Sequence, residues 1–324
     1  MILVLVDHDR GEIDPQSLRT LTLARKTEAD IQAVVIGEAG SKLSSTVGEY
    51  GAKVLHVAKH ANLSDYSAMA SGRALAELVT KLKPVAVLGA GTARGNEQLA
   101  HLAALLDQPM AADCLSIDVN LNAGSPHHVT RARWAGNLIE DAKVHSDLLI
   151  VTVFPFATEA ASISGAAATV SEFEPNLLPT DTQVRVMRRD SGDMKAGGIS
   201  LVDAKVIVSG GRGVGGSDGF GILEELADLL GGTVGCSRVV TSSGWRPHAE
   251  QVGQTGTKVS PDLYVAAGIS GAIQHIAGMK NSKTIVVINT DPEAPILKYA
   301  DYAIIGDLHK IIPALNSAIR EAKK

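Results

Sequence analysis

The 324-residue chain is 45% hydrophobic and 20% charged, with a formal net charge of −5. That balance reads as soluble and core-forming, and it excludes a nucleic-acid partner, because no basic tract is present to neutralise phosphates. The longest apolar runs, such as residues 148–153, are too short to span a bilayer, so the chain is not membrane-embedded.

The opening Met1-Ile-Leu-Val-Leu-Val reads directly as a strand with no basic leader before it, so the expected location is cytoplasmic. A helix is predicted over residues 15–26, a strand over 31–36, a helix over 41–50 and a strand over 54–57. A helix over 66–82, a strand over 85–88 and a helix over 95–106 follow. Strands alternating with helices of this length imply a mainly parallel sheet covered on both faces. Five β-type runs come next, at 114–119, 128–134, 148–154, 166–173 and 184–187, either as hairpins or as an extension of the first sheet. The polar, Gly-rich stretch 188–200 is the linker candidate.

A second α/β unit then begins. Strands are predicted at 205–209, at 233–234, at 263–267, at 285–288 and at 302–305, with a helix at 218–230. The fold class is therefore α/β, with two domains, residues 1–188 and 204–324, joined by a linker over 189–203. Ligands of open α/β sheets sit at the carboxyl ends of the strands, and the second unit concentrates its unusual residues there.

Ser209-Gly-Gly-Arg-Gly-Val-Gly-Gly lies between a strand and a helix, where glycines let backbone approach a phosphate. A tight turn with no ligand is the alternative. A dinucleotide fold would also place an acid after Val234 to hold a ribose; the chain instead reads Gly235-Cys-Ser-Arg238. Arg212 and Arg238 follow successive strands and point to an anionic ligand, although each taken singly could be a surface charge. Gln251-Val-Gly-Gln-Thr-Gly256 offers backbone N–H groups, two amides and a hydroxyl in one compact stretch. In Gly268-Ile-Ser-Gly-Ala-Ile-Gln-His275, Ser270 is the expected helix N-cap, with free N–H groups at Gly271 and Ala272. Gln274 and His275 fall in the first turns of that helix. Asn289 and Asp307 end further strands, where ribose or adenine contacts and turn capping are equally good readings. In the first unit, Gly89-Ala-Gly-Thr-Ala-Arg-Gly95 looks like a phosphate loop, but no second polar segment converges with it. Cys114 and Cys236 lack metal-ligand spacing and read as reduced, partly buried thiols.

The run Leu263-Tyr-Val-Ala-Ala-Gly-Ile-Ser-Gly-Ala-Ile-Gln-His-Ile-Ala-Gly278, ending at Ile288-Asn289, resembles the signature of electron transfer flavoprotein alpha subunits. Ser209-Gly-Gly-Arg-Gly213, Gly235-Cys-Ser-Arg238, Val252-Gly-Gln-Thr-Gly256, Asp291-Pro-Glu-Ala-Pro295 and Ala300-Asp-Tyr302 are similar to the same family in the same order. The likeness is dense over residues 205–310 and looser before 190. It implies a Rossmann-like C-terminal domain holding FAD and an N-terminal domain contacting a smaller beta subunit. By that resemblance Arg212, Ser237 and Arg238 would lie near the isoalloxazine and pyrophosphate, Thr255 near flavin N5 and His275 near O2. Gln251, Val252, Gly253, Gln254 and Gly256 would belong to the same ring of contacts. Ser270 and Gly271, with Ala272, Ile273 and Gln274 beside them, would serve the phosphates, and Asn289, Asp307 and Leu308 the adenosine. Arg238 and His275 would then act as charge-assisted donors to the reduced flavin. Thr290 stands where many members carry lysine, Val287 where they carry alanine, and Cys236 replaces a common alanine.

The resemblance further implies a heterodimeric electron carrier rather than an enzyme with its own substrate. Electrons would come from acyl-CoA or other flavoprotein dehydrogenases and pass to a quinone oxidoreductase or similar acceptor. The beta subunit would hold AMP, or a second FAD in the bifurcating branch. The alternatives are an NAD(P)-binding subunit of an oxidoreductase and an assembly subunit with a vestigial site.

Overall fold

The computed structural model describes residues 1–121, 124–187 and 199–323. The chain divides into two compact units, Met1–Arg189 and Asp190–Lys324. Most of the expected linker lies outside the described residues. Its last part, residues 200–203, forms a turn in which the Ser200 hydroxyl donates to Asp203 (2.6 Å), and Leu201 is buried in the second unit's core.

The first unit opens with β1 (Ile2–Leu5) and a short antiparallel pair, β2 (His8–Asp9) and β3 (Glu12–Ile13). It continues through α1 (Pro15–Arg25), β4 (Ile31–Ile36), α2 (Ser44–Glu49), β5 (Val54–Ala58), α3 (Ala68–Leu82), β6 (Ala86–Ala90) and α4 (Ala93–Leu106). Then come β7 (Met110–Asp118), β8 (His127–Arg133), β9 (Leu138–Val144), β10 (Leu149–Val153) and β11 (Thr169–Phe173). Among the described residues these strands form one nine-stranded sheet, in the order β11-β5-β4-β1-β6-β10-β7-β8-β9. All neighbours from β11 to β7 pair in parallel, and β8 and β9 extend the edge as antiparallel hairpins. The two possibilities read from sequence thus occur together. Period-two alternation splits the core: Ile2, Val4, Ala33 and Val151 face one side, while Leu3, Leu5, Val34 and Ile150 face α3 and α4 on the other.

Two sequence readings fail here. No strand forms at residues 184–187, where Val184 and Met187 are exposed and no neighbouring strand supplies a ladder. Conversely, β9 was missed because its sequence, Leu-Ile-Glu-Asp-Ala-Lys-Val, carries charges on a largely solvated strand. Cross-strand polar pairs stitch it to β8: Arg131 to Glu140 at 2.6 Å and the Thr130 hydroxyl to Asp141 at 2.7 Å.

The second unit contains β12 (Val206–Gly210), α5 (Gly221–Leu230), β13 (Thr233–Cys236), α6 (Arg238–Ser242), β14 (Leu263–Ala267), α7 (Ile273–Met279), β15 (Thr284–Asn289), β16 (Tyr302–Ile305) and α8 (Leu308–Ala322). Its described strands form a five-stranded, fully parallel sheet in the order β13-β12-β14-β15-β16. In chain order this is 2-1-3-4-5, the doubly wound pattern whose ligand crevice opens between the first and third strands, rather than the 3-2-1-4-5-6 of dinucleotide folds. Val208, Val265, Ala267 and Ile288 pack against α5 and α8 through Leu223, Leu226 and Ile312. Ile207, Tyr264, Ala266 and Val287 face Ile276 and Met279 of α7. Both faces of the sheet are covered, so only its strand ends are left to build a crevice.

Candidate functional site

The strands of the second unit end in register. Gly210 pairs with Cys236 and with Ala267, Ala267 with Ile288, and Asn289 with Ile305. The residues that follow each strand therefore gather along one edge, and they line a cleft of about 640 Å3. Pockets for cofactor-sized ligands run to roughly 300–1,000 Å3.

Where β12 and β14 diverge, their turns touch. The Gly213 N–H donates to the Gly268 carbonyl at 3.0 Å, and a Cβ on Gly213 would stand 2.8 Å from Gly268 Cα. Backbone packing alone thus demands the glycines at 213 and 268, which answers part of the case for a phosphate loop. Arg212 leaves this turn exposed on the cleft wall. Across the crevice, the Ser237 N–H donates to the Gly210 carbonyl at 3.0 Å, and Arg238 opens α6. Neither arginine has an ion-pair partner among the described residues. By contrast Arg246 is held by Glu224 (2.7 Å) and Glu250 (2.6 Å) and stacks over Phe220, tying the segment behind α6 to α5.

The turn over residues 251–256 is drawn in by α7. The Gln254 N–H donates to the Gln274 carbonyl at 2.8 Å, and Gly278 packs directly on Gly253. Gln251 is buried, and both ends of its side chain are engaged: Nε2 donates to the Thr255 hydroxyl (2.9 Å), and Oε1 accepts from the Thr241 hydroxyl (2.6 Å). Thr255 and Gln254 are exposed to the cleft. Val252 and Gly253 also line it.

His275 is buried at the cleft floor, its Nε2 lying 2.9 Å from the Tyr264 hydroxyl. Its Nδ1 meets no acceptor at good hydrogen-bonding geometry. Burial pushes the imidazole down to about 4, and a weak contact with the Val252 backbone only partly offsets this. Burial thus disfavours the imidazolium, and the ring is neutral near pH 7. Ser270 is not the N-cap. The helix starts later, with Ala272 in the cap position, because the Ser270 carbonyl is taken by the Ile296 N–H (3.2 Å) and Gly271 turns at φ 92°.

At the far end, Asn289 uses its amide locally, Nδ2 donating to the Ile269 carbonyl (2.9 Å) and Oδ1 accepting from the Asp291 N–H (3.1 Å). Asp307 caps α8 through Oδ1, which accepts from the His309 N–H at 2.9 Å. Capping thus accounts for part of each side chain. Among the sequence candidates, Arg212, Ser237, Arg238, Gln251, Val252, Gly253, Gln254, Thr255, Ser270, Gly271, Ala272, Gln274, His275, Asn289, Asp307 and Leu308 all line the cleft. Gly256 and Ile273 do not: Gly256 sits behind the turn against the Gln251 carbonyl, and Ile273 is exposed outside it. Thr290, noted from sequence as a departure from the family, and Asp291, noted in a family-like motif, also line the cleft, whereas sequence reasoning passed over Val239, Ser242 and Ser243. Only the Ser242-Ser243 pair, close behind Arg238, offered a signal. Cys236 lies in β13 beneath the cleft, and burial pushes its thiol up to about 12.

The protein-family model described as "Electron transfer flavoprotein FAD-binding domain" matches residues 200–280, and the "Electron transfer flavoprotein domain" matches residues 2–178. The chain is 39% identical to the "Electron transfer flavoprotein subunit alpha" of Mycobacterium leprae, over 99% of this chain and 98% of that one. Proteins of the same description from Syntrophomonas wolfei (37%, covering 98% of each chain) and Thermoanaerobacterium thermosaccharolyticum (39%, 93% and 91%) are similar throughout. The chain belongs to the electron transfer flavoprotein alpha-subunit family. The cleft of this alpha-subunit chain lies in the unit that carries the FAD-binding domain, and FAD is the cofactor of that domain. The first unit has a smaller cleft of about 190 Å3 beside β1 and β4, where Asp7 accepts from Gln98 at 2.8 Å; of residues 89–95 only Arg94 lines it, while Thr92 caps α4. Among the described residues no helix is long and apolar enough to cross a membrane, and no cluster of metal-ligating side chains occurs.

Proposed function

We propose that this chain is the FAD-holding subunit of a cytoplasmic heterodimeric electron carrier. With a smaller beta subunit it receives electrons from acyl-CoA or other flavoprotein dehydrogenases and hands them to a quinone oxidoreductase or similar acceptor. The observation that carries the reading is the cleft itself: two arginines without ion-pair partners among the described residues, a hydroxyl-and-amide turn and a helix-capping carboxylate converge at the switch point of a doubly wound sheet.

The donor set fits FAD. Arg212 and Arg238 supply positive charge for a diphosphate or a reduced ring. Thr255, held by Gln251, offers a hydroxyl, and the exposed Ser270 side chain and remaining Asp307 oxygen suit phosphate and ribose. Bound FAD would supply the electron chemistry; the chain orients it, sets the local charge and limits water. Burial keeps His275 neutral, so its contribution is a dipole held in place by Tyr264.

The test is a visible absorption spectrum of the chain purified with its encoded partner, followed by acid release of the chromophore. One FAD per heterodimer supports a simple carrier, and two support the bifurcating branch. Absence of flavin, with none taken up when FAD is added, overturns the proposal.

A further inference from the structure

Gln251 is nearly inaccessible, with 2% of its surface exposed, yet among the described residues its amide is gripped only by hydroxyls. Oε1 accepts from the Thr241 hydroxyl at 2.6 Å, and Nε2 donates to the Thr255 hydroxyl at 2.9 Å. A hydroxyl both donates and accepts, and the two ends of an amide have nearly the same shape. Turning the amide over therefore moves no heavy atom of its neighbours. It does require the Thr241 hydrogen to find a second acceptor, and one is present: the Arg238 carbonyl, 3.0 Å from the Thr241 oxygen.

Two complete settings follow. In the first, Thr241 donates to Gln251 Oε1, Gln251 Nε2 donates to Thr255, and the Thr255 hydrogen points into the cleft. In the second, Thr241 donates to the Arg238 carbonyl, Gln251 Nε2 donates to Thr241, and Thr255 donates to Gln251 Oε1, leaving a Thr255 lone pair for the cleft. No covalent bond changes, and the hydrogen bonds linking Thr241, Gln251 and Thr255 persist in both.

We propose that Thr241, Gln251 and Thr255 form a two-setting hydrogen-bond relay that converts Thr255 from donor to acceptor toward the bound cofactor when the Gln251 amide turns over. The proposal rests on the FAD reading above, with Thr255 facing flavin N5. That atom is a bare acceptor in the oxidised ring and carries a hydrogen in the fully reduced ring. A fixed donor would lose its bond on reduction, whereas the relay keeps one in both states. Gln251 is thus a positioning residue rather than a cofactor contact, and Thr241, which does not line the cleft, belongs to the same device.

The experiment is redox-difference infrared spectroscopy on the FAD-loaded protein, with and without 13C,15N-labelled glutamine, together with the flavin midpoint potential. A glutamine side-chain carbonyl band is expected to shift between oxidised and reduced samples and to vanish in Gln251→Leu. In Thr241→Val the turned-over amide would leave a buried N–H unpaired, so Thr255 stays a donor; the band then ceases to respond and the potential becomes more negative. Thr241→Ser is expected to restore both, which a merely structural role of the hydroxyl would not require. If Gln251→Leu fails to fold, the Thr241→Val and Thr241→Ser pair carries the test. FAD bound normally with no responsive glutamine band, or Thr241→Val leaving band and potential unchanged, overturns the relay alone. Failure of the unaltered protein to bind FAD overturns the underlying reading and the relay with it.

Discussion

Gly278 in α7 lies so close to Gly253 that a Cβ on Gly278 would stand 2.4 Å from the Gly253 Cα. This contact seats the turn over residues 251–256 against α7 and so brings Thr255 and His275 to one cleft. A helical Gly→Ala change normally stabilises by about 1 kcal/mol. Here overpacking is expected to win, and Gly278→Ala should destabilise by about 1–3 kcal/mol. Chemical denaturation checks the sign; a more stable variant would show that the turn yields freely. FAD affinity should fall in parallel.

Burial of His275 makes stability depend on pH. The folded imidazole titrates at about 4, below its ordinary 6.5. The unfolded chain therefore binds the proton first, and stability is lost as pH falls from about 6.5 towards 4, by an amount on the order of 3 kcal/mol. His8 and His56 are also pushed down by burial and add to the same slope. The difference between the unaltered protein and His275→Phe isolates the His275 share, because the cost of leaving the Tyr264 hydroxyl unpaired is the same at each pH. Parallel stability curves for the two proteins across that window would contradict the assignment.

The neutrality of His275 separates its expected redox effect from that of Arg238. Arg238→Ala should lower the flavin potential by about 60–130 mV, the electrical equivalent of a charge-assisted hydrogen bond. The lower end is expected because the guanidinium is exposed. His275→Ala removes at most a neutral bond and should lower it by roughly 20–60 mV. Spectroelectrochemical titration distinguishes the two, and a larger effect from His275 would mean that it is charged beside the cofactor.

Both thiols should be silent in the native protein. Cys114 and Cys236 are buried, and burial pushes each up to about 12, so almost no thiolate exists at pH 8. A chromogenic disulfide reagent is expected to label neither until denaturant is added, and both afterwards. Rapid native labelling of one cysteine, localised by mass spectrometry, would show that its strand opens.

Much of this was legible in the linear chain because the signals are local. Alternating apolar runs, the Gly-rich turn around Arg212, the polar stretch at Gln251–Gly256 and the Asn289 and Asp307 closing the last two strands are all encoded by adjacent residues, and turn chemistry acts within a few positions. The same local rules misjudged residues 184–187 and β9. A strand exists only when a neighbour completes its ladder, and a charged sequence gains one when the opposite strand carries matching charges.

By itself, then, the sequence determined the α/β class, the family and the set of polar residues from which the cleft is built. The tertiary structure alone decided where β10 enters the first sheet, why Gly213 and Gly268 must be glycine, that His275 is neutral and that both ends of the Gln251 amide engage hydroxyls. Each of those depends on burial or on contacts between segments distant in the chain, and spacing along a sequence does not record which such segments will meet.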